Sequence, residues 1–270
     1  MSSLSEKPFR FACVLLMLFC ILAPVGARSV DSPRVGVVLS GGGARGIAHV
    51  AVLEMLEAHG IPIDLIVGTS MGALIGGLYS AGYSPQDIRT LLATHDLMAM
   101  LAYTPYEDQR PTPQAFGHYE DNLFSIGFGA DGIGEGTGLI GDQRLMTLLG
   151  SILTKVSFID DFQDLDTPYV AVAVDASDRI VLDSGPLVSA IRSSISLPLV
   201  FPPYLLEDGR LAMDGGYVDN LPVQLAKDYG ADIVIAVDVN ASQRKSSVHE
   251  LNSLSAILSQ SMDLVTLINV

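Results

Sequence analysis

Gly68-Thr69-Ser70-Met71-Gly72 sets a serine between two glycines in the pattern G-x-S-x-G. A serine hydroxyl attacks a carbonyl only when three conditions meet. It must stand exposed, a base must take its proton, and donors must meet the charge that develops on the attacked oxygen. Side chains two residues to either side would crowd the tight turn that exposes it, and glycine at 68 and 72 relieves that crowding and tolerates unusual dihedrals. The pattern alone is weak. Its context strengthens it: residues 64–67 predict a short strand before it and residues 71–81 a helix rich in small residues after it. That is the order of a nucleophile elbow. The positive end of the following helix would face the reacting oxygen. An ordinary tight turn is the bland alternative.

Gly41-Gly42-Gly43-Ala44-Arg45-Gly46 also lies between a predicted strand, residues 34–39, and a predicted helix, residues 47–59. Three successive glycines leave backbone N–H groups uncovered, and such donors can hold an oxyanion. Arg45 can stabilise the same charge or pin the loop. The same glycines also spell G-x-G-x-x-G, and Asp64 follows at about the spacing of a ribose-binding acid. A dinucleotide-binding protein is therefore a rival class, although such a protein has no use for the serine elbow at the end of the next strand. A non-catalytic lipid-binding module is a third reading.

Asp214-Gly215-Gly216 follows a predicted strand over residues 210–213. Alone it reads as a turn. Beside Ser70 and the glycine loop, Asp214 becomes the candidate base. The five histidines compete poorly. His49 and His59 fall in the first helix, His95 in the third, His118 in an irregular middle and His249 in the tail. None lies in a loop at a strand end, where a triad histidine belongs. The sequence thus points to a Ser–Asp pair. A carboxylate is a weak base for a serine hydroxyl, so the pair needs strong oxyanion stabilisation, which the glycine loop can offer.

These motifs resemble those of the patatin-like phospholipases. The G-G-G-x-[RK]-G loop matches Gly41 to Gly46, the G-x-S-x-G elbow matches Gly68 to Gly72, and the D-G-[GA] motif matches Asp214 to Gly216. A fourth block, Arg192-Ser193-Ser194-Ile195-Ser196-Leu197-Pro198, is similar to the family segment between elbow and aspartate. The resemblance implies a three-layer α/β/α fold with a mainly parallel sheet. It implies a Ser70–Asp214 dyad that hydrolyses fatty-acyl esters of lipids through an acyl-enzyme, with no metal and no cofactor. The substrate would be met at a membrane or micelle surface. The chain looks most like bacterial members that continue into an outer-membrane barrel.

The remaining composition bounds the partners. Thirty Asp plus Glu stand against fifteen Lys plus Arg, which argues against nucleic acid as a partner because phosphate neutralisation needs a basic surface. The two cysteines, Cys13 and Cys20, lie in the first 27 residues. That stretch has Lys7 and Arg10, an apolar run over residues 11–23, and small residues at Val25-Gly26-Ala27. It reads as a signal peptide cleaved after Ala27, leaving one domain over residues 28–270. Export to the periplasm, the outer membrane or cell surface, or the medium is expected.

The elements that position the motifs alternate strand and helix, as in a parallel sheet covered by helices. Further elements are expected as a helix from Ser84-Pro85, a hairpin near residues 123–128, a helix over 186–195 and a buried strand over 233–239. An amphipathic helix from Leu251, opened by the capping box of Ser247 and Glu250, is expected to cover the sheet. The chain stops in the apolar stretch Leu267-Ile268-Asn269-Val270, so a longer parent protein is expected. Met71, Leu74, Leu197 and Val200 are candidates for an acyl pocket or for core. The acidic cluster of Asp160, Asp161, Asp164 and Asp166 lacks the glycine and glutamate of a calcium loop and reads as a solvated loop.

Overall fold

The computed structural model describes residues 32–94, 126–129, 132–135, 143–176, 178–198 and 200–240. The compact unit begins at Arg34. Its centre is four parallel strands in the order β5, β2, β1, β9. These are β1 (Val35–Leu39), β2 (Leu65–Thr69), β5 (Tyr169–Asp175) and β9 (Ile233–Val237). β1 and β2 are buried along their whole length, which explains their unbroken apolar runs. Val37, Leu39, Ile66 and Ala171 face one core, and Val38, Leu65, Val67 and Val172 face another. The period of two thus feeds both faces of the sheet.

Helices α1 (Ala48–Ala58), α2 (Met71–Ser80) and α5 (Leu187–Ser194) fill the first core. The short α6 (Val223–Asp228) contributes Leu225 and Ala226 to the second. The outcome is the three-layer, mainly parallel α/β/α arrangement expected from the resemblance. Glycines let α2 lie close on the sheet: a Cβ on Gly76 would come within 2.6 Å of Ile66. Tyr169 of β5 also donates its hydroxyl to the Ala73 carbonyl of α2 at 2.8 Å. Helices α3 (Pro85–Thr94) and α4 (Gln143–Ile152) complete the described α-helices.

Three strands join antiparallel: β6 (Asp178–Leu182), β7 (Tyr204–Leu205) and β8 (Leu211–Asp214). Their registers fix the site. β2 pairs with residues of β5 up to Val172, and β8 pairs with Ala173 and Val174. β6 pairs with all of Ala171 to Val174, so it occupies the opposite edge of β5. β2 and β8 therefore share one edge, end to end. Thr69 lies opposite Val172 and Asp214 opposite the next residue, Ala173. The end of β2 and the end of β8 are brought together by one strand.

Several expectations shift. The strand before the elbow runs through Thr69 rather than ending at Val67. Ile47 is exposed and lies in a tight 3-10 turn, Gly43–Ile47, that precedes α1. β9 stops at Val237 and is half-exposed, with Ile233 47% exposed; among the described strands it is a sheet edge rather than a buried strand. The expected hairpin of the middle region is β3 (Ile126–Gly129) and β4 (Gly132–Glu135), its first strand overlapping the alternating stretch near residues 123–128. The signal segment, most of residues 103–139 and the helix expected from Leu251 lie outside the described residues.

Candidate active site

Ser70 sits between β2 and α2 with φ 53° and ψ −121°. A non-glycine residue in that left-handed region is strained by about 1–3 kcal/mol and holds only where its surroundings dictate it. The two motif glycines supply space rather than unusual dihedrals. A Cβ on Gly68 would lie 2.6 Å from the Gly72 carbonyl, and one on Gly72 would lie 2.2 Å from the Leu39 carbonyl oxygen. The serine, not the glycines, carries the unusual conformation.

The Ser70 hydroxyl donates to Asp214 Oδ2 at 2.6 Å. The other carboxylate oxygen accepts the Gly216 N–H at 2.9 Å, which caps the 3-10 turn Gly215–Tyr217. Gly215 is required by close approach, since a Cβ there would meet the Val172 carbonyl oxygen at 2.4 Å. Asp214 is buried, and burial pushes its carboxyl up to about 6, against the lowering effect of the Ser70 and Gly216 hydrogen bonds. A raised value makes this carboxylate a stronger base than an exposed aspartate.

The fourth sequence block surrounds this pair. Arg192 is fully buried; it donates to Ser196 Oγ at 2.5 Å and to the Pro202 carbonyl at 3.0 Å, and lies over the Phe201 ring. The loop it holds presents the Ser196 carbonyl to the Asp214 N–H at 2.9 Å. Ser194 bonds the Ser70 N–H at 2.8 Å.

The glycine loop approaches from β1. Its first residues are clamped. Ser40 N–H donates to the Val237 carbonyl, and Ser40 Oγ accepts from the Val239 N–H, both at 3.1 Å. The Ser40 carbonyl accepts from His49 Nε2 at 2.8 Å. Gly41 N–H donates to the Asn220 carbonyl at 3.3 Å, and the Gly41 carbonyl accepts from Asn240 Nδ2 at 2.6 Å. Gly41 also packs on Ser70, where a Cβ would come to 3.0 Å from the serine Cβ. The first hydrogen bond of the following turn runs from Arg45 N–H to the Gly42 carbonyl. The N–H groups of Gly42 and Gly43 precede it, as the first donors of any helical turn do. Gly43 has φ 52°. Arg45 is exposed, and Gly46 is buried against Met71.

One segment ties all three motifs together. After Asp214, the Asp219 carbonyl accepts from Thr69 Oγ1 at 2.9 Å, and Asn220 reaches Gly41. Sequence reasoning missed Asn220 and Asn240, and it placed Ser194 in the fourth block without a role; the partners of all three lie far away in the chain. Met71, Leu74 and Val200 are buried core, with Leu197 packed against them. Asp64 is bonded to the Val35 N–H at 2.7 Å, a structural tie rather than a ribose ligand. Both described histidines are bonded elsewhere, His49 to Ser40 and His59 to the Met55 carbonyl. Burial holds the His49 imidazole below its ordinary value. Among the described residues, no group of three or more His, Cys, Asp or Glu is placed to hold a metal ion.

Residues 37–227 match the model of the patatin-like phospholipase family. The chain is 33% identical over 220 residues to patatin-like phospholipase domain-containing protein 7 of Rattus norvegicus, covering 80% of this chain and 14% of that protein. It is 32% identical over 232 residues to lysophospholipase NTE1 of Scheffersomyces stipitis, covering 85% and 13%. To an uncharacterized NTE family protein of Mycobacterium tuberculosis (strain ATCC 25618 / H37Rv) it is 32% identical over 223 residues, covering 82% and 53%. The chain thus spans only part of the length of each of these relatives. With the family model matching well over half of its length, this chain belongs to the patatin-like phospholipase family.

Proposed function

We propose that the chain is a serine lipid acyl hydrolase, of the phospholipase A or lysophospholipase type, working through Ser70 and Asp214. The 2.6 Å hydrogen bond from Ser70 Oγ to a buried carboxylate carries this reading. Ser70 Oγ attacks the acyl carbonyl, and its proton passes to Asp214 Oδ2. The carbonyl oxygen takes the negative charge and is met by the N–H groups of Gly42 and Gly43, with Arg45 adding positive charge nearby. When the intermediate collapses, the ester C–O bond breaks and the departing alcohol takes the proton from Asp214. Water then attacks the acyl-enzyme, Asp214 accepts its proton, and that proton returns to Ser70 as the fatty acid leaves.

A lipid substrate is supported by the family and by the yeast relative named a lysophospholipase. The substrate would be met at a membrane or micelle surface, and no cofactor enters the scheme. The test is ester hydrolysis by the purified mature chain beside Ser70→Ala, on a short-chain chromogenic ester and on phospholipid vesicles. Activity that vanishes with Ser70 supports the reading; folded wild-type protein inert on both substrates contradicts it.

Export belongs to the same proposal, resting on Lys7, Arg10, the apolar run and Val25-Gly26-Ala27. The mature protein would then begin at Arg28 in the periplasm, at the outer membrane or cell surface, or in the medium, as in bacterial members that carry a barrel. N-terminal sequencing after cell fractionation checks it. An intact Met1 in the cytosolic fraction sinks it.

A further inference from the structure

Ser194 is the last residue of α5 and is fully buried. Its hydroxyl accepts a hydrogen bond from the Ser70 main-chain N–H at 2.8 Å and donates one to the Val172 carbonyl at 2.6 Å. That carbonyl oxygen also presses on Gly215, the residue after Asp214. The Ser194 hydroxyl therefore links the strained main chain of Ser70 to strand β5, at the carbonyl against which Gly215 is closely packed.

The link bears on the geometry of the proposed reaction. Ser70 has φ 53°, a conformation that relaxes unless neighbours hold it. The peptide plane before Ser70 orients its N–H and hence its Cα–Cβ bond. Pinning that N–H to β5 fixes where Oγ points. Asp214 is set by pairing with the same strand, at Ala173, one residue beyond Val172. Both partners of the 2.6 Å hydrogen bond are thus referenced to β5. Losing the hydroxyl would also leave two backbone groups, the part-buried Ser70 N–H and the buried Val172 C=O, without this partner.

We infer that Ser194 is a positioning residue, whose hydroxyl holds the Ser70 main chain against β5 so that Oγ meets Asp214. It touches neither substrate nor reacting atoms. The inference rests on the hydrolase reading above.

Ser193 supplies a matched control. It is equally buried on the same helix, but its hydroxyl donates back to the Ser189 carbonyl at 2.7 Å, within α5. The experiment uses a fluorophosphonate probe, which phosphonylates an activated serine oxygen with loss of fluoride. The maximal labelling rate and the half-saturating probe concentration are measured for wild type, Ser70→Ala, Ser194→Ala, Ser194→Cys and Ser193→Ala. Melting temperature is read alongside. Wild type that labels at Ser70 establishes the nucleophile independently of any lipid; wild type that does not label at all counts against the hydrolase reading and, with it, the inference. Given labelling, Ser194→Ala is expected to slow the maximal rate about 10- to 100-fold, the range of one lost backbone hydrogen bond, with half-saturation little changed. Ser193→Ala is expected to label like wild type whatever its melting temperature. Ser194→Cys, which keeps a weak donor and acceptor of similar size, is expected to fall between, and it serves if the alanine variant does not fold. Folded Ser194→Ala or Ser194→Cys labelling at the wild-type rate, or Ser193→Ala slowed as much as Ser194→Ala, overturns the inference.

Discussion

On the β5 side of Ser70, placement comes from strand pairing. β2 and β8 share an edge of β5, and Ser70 and Asp214 meet because Val172 and Ala173 are consecutive. On the β1–β9 side, placement comes from side-chain and backbone clamps on a loop. Asn240, His49 and the Asn220 carbonyl hold Ser40 and Gly41, and the clamping stops just before Gly42. Under the proposed mechanism, the difference follows from what each side would present. A nucleophile and its base need a fixed separation, which a sheet register supplies. An oxyanion hole needs donors that no carbonyl of the fold has taken. That calls for an irregular loop, held by its neighbours rather than by its own hydrogen bonds.

The two sides touch at Gly41. A Cβ at residue 41 would lie 2.6 Å from Asn220 Oδ1 and 3.0 Å from Ser70 Cβ. Gly41→Ala is expected to lower kcat on a chromogenic ester by about 10³-fold, because a small misplacement of the nucleophile costs about two powers of ten and the loop donors move with it. A Gly41→Ala variant with near-normal kcat would mean that loop and elbow are not coupled.

Asn240→Ala removes the clamp on the Gly41 carbonyl without touching Ser70 or Asp214. The expected loss in kcat is about 10- to 100-fold, with probe labelling of Ser70 affected less than by Ser194→Ala. Equal effects on both readouts would erase the distinction between the two sides.

The acid side of the pH profile sharpens the role of Asp214. The carboxyl must be ionised to accept a proton and titrates at about 6, so kcat/KM should fall as pH drops through that value. Stability should run the other way. The unfolded carboxyl titrates near 3.8 and the folded one near 6, so the folded state binds the extra proton between them and loses stability as pH rises through that window. Asp214→Asn keeps an acceptor for Gly216 and sheds the buried charge. At pH 8 it is expected to be more stable than wild type by about 3 kcal/mol, and the gain should fade toward pH 4. Chemical denaturation at the two pH values checks the sign.

The smallest effect is expected at Gly43. A Cβ there meets nothing within 4 Å, but φ is 52°. Gly43→Ala should cost about 1 kcal/mol of stability and leave kcat within a few-fold, since the N–H donor is retained.

The four motifs were legible because each needs particular residue types locally: glycine where backbones touch, serine at the elbow, aspartate at a strand end. The strand–helix alternation was legible because parallel strands are buried on both faces. What could not be read were the couplings at long range. Asn240 reaches Gly41 across 199 positions, and Ser194 reaches Ser70 across 124. Neither residue carries a local signal of its partner. The half-exposed β9 was misread as buried because its composition, Ile-Val-Ile-Ala-Val, is that of a central strand. Ile47 was misread because the apolar spacing continued into a 3-10 turn with a different period.

The proposed mechanism makes Asp214 alone the base to Ser70, without a histidine. The measurement that tests it most directly is kcat of Asp214→Asn on a short-chain chromogenic ester, with the fold verified by melting temperature. The expected result is a loss of about 10³- to 10⁴-fold in a protein at least as stable as wild type, while His59→Ala stays near wild type. A folded Asp214→Asn variant that keeps more than about a tenth of wild-type kcat would contradict the account, because another group would then be taking the proton from Ser70.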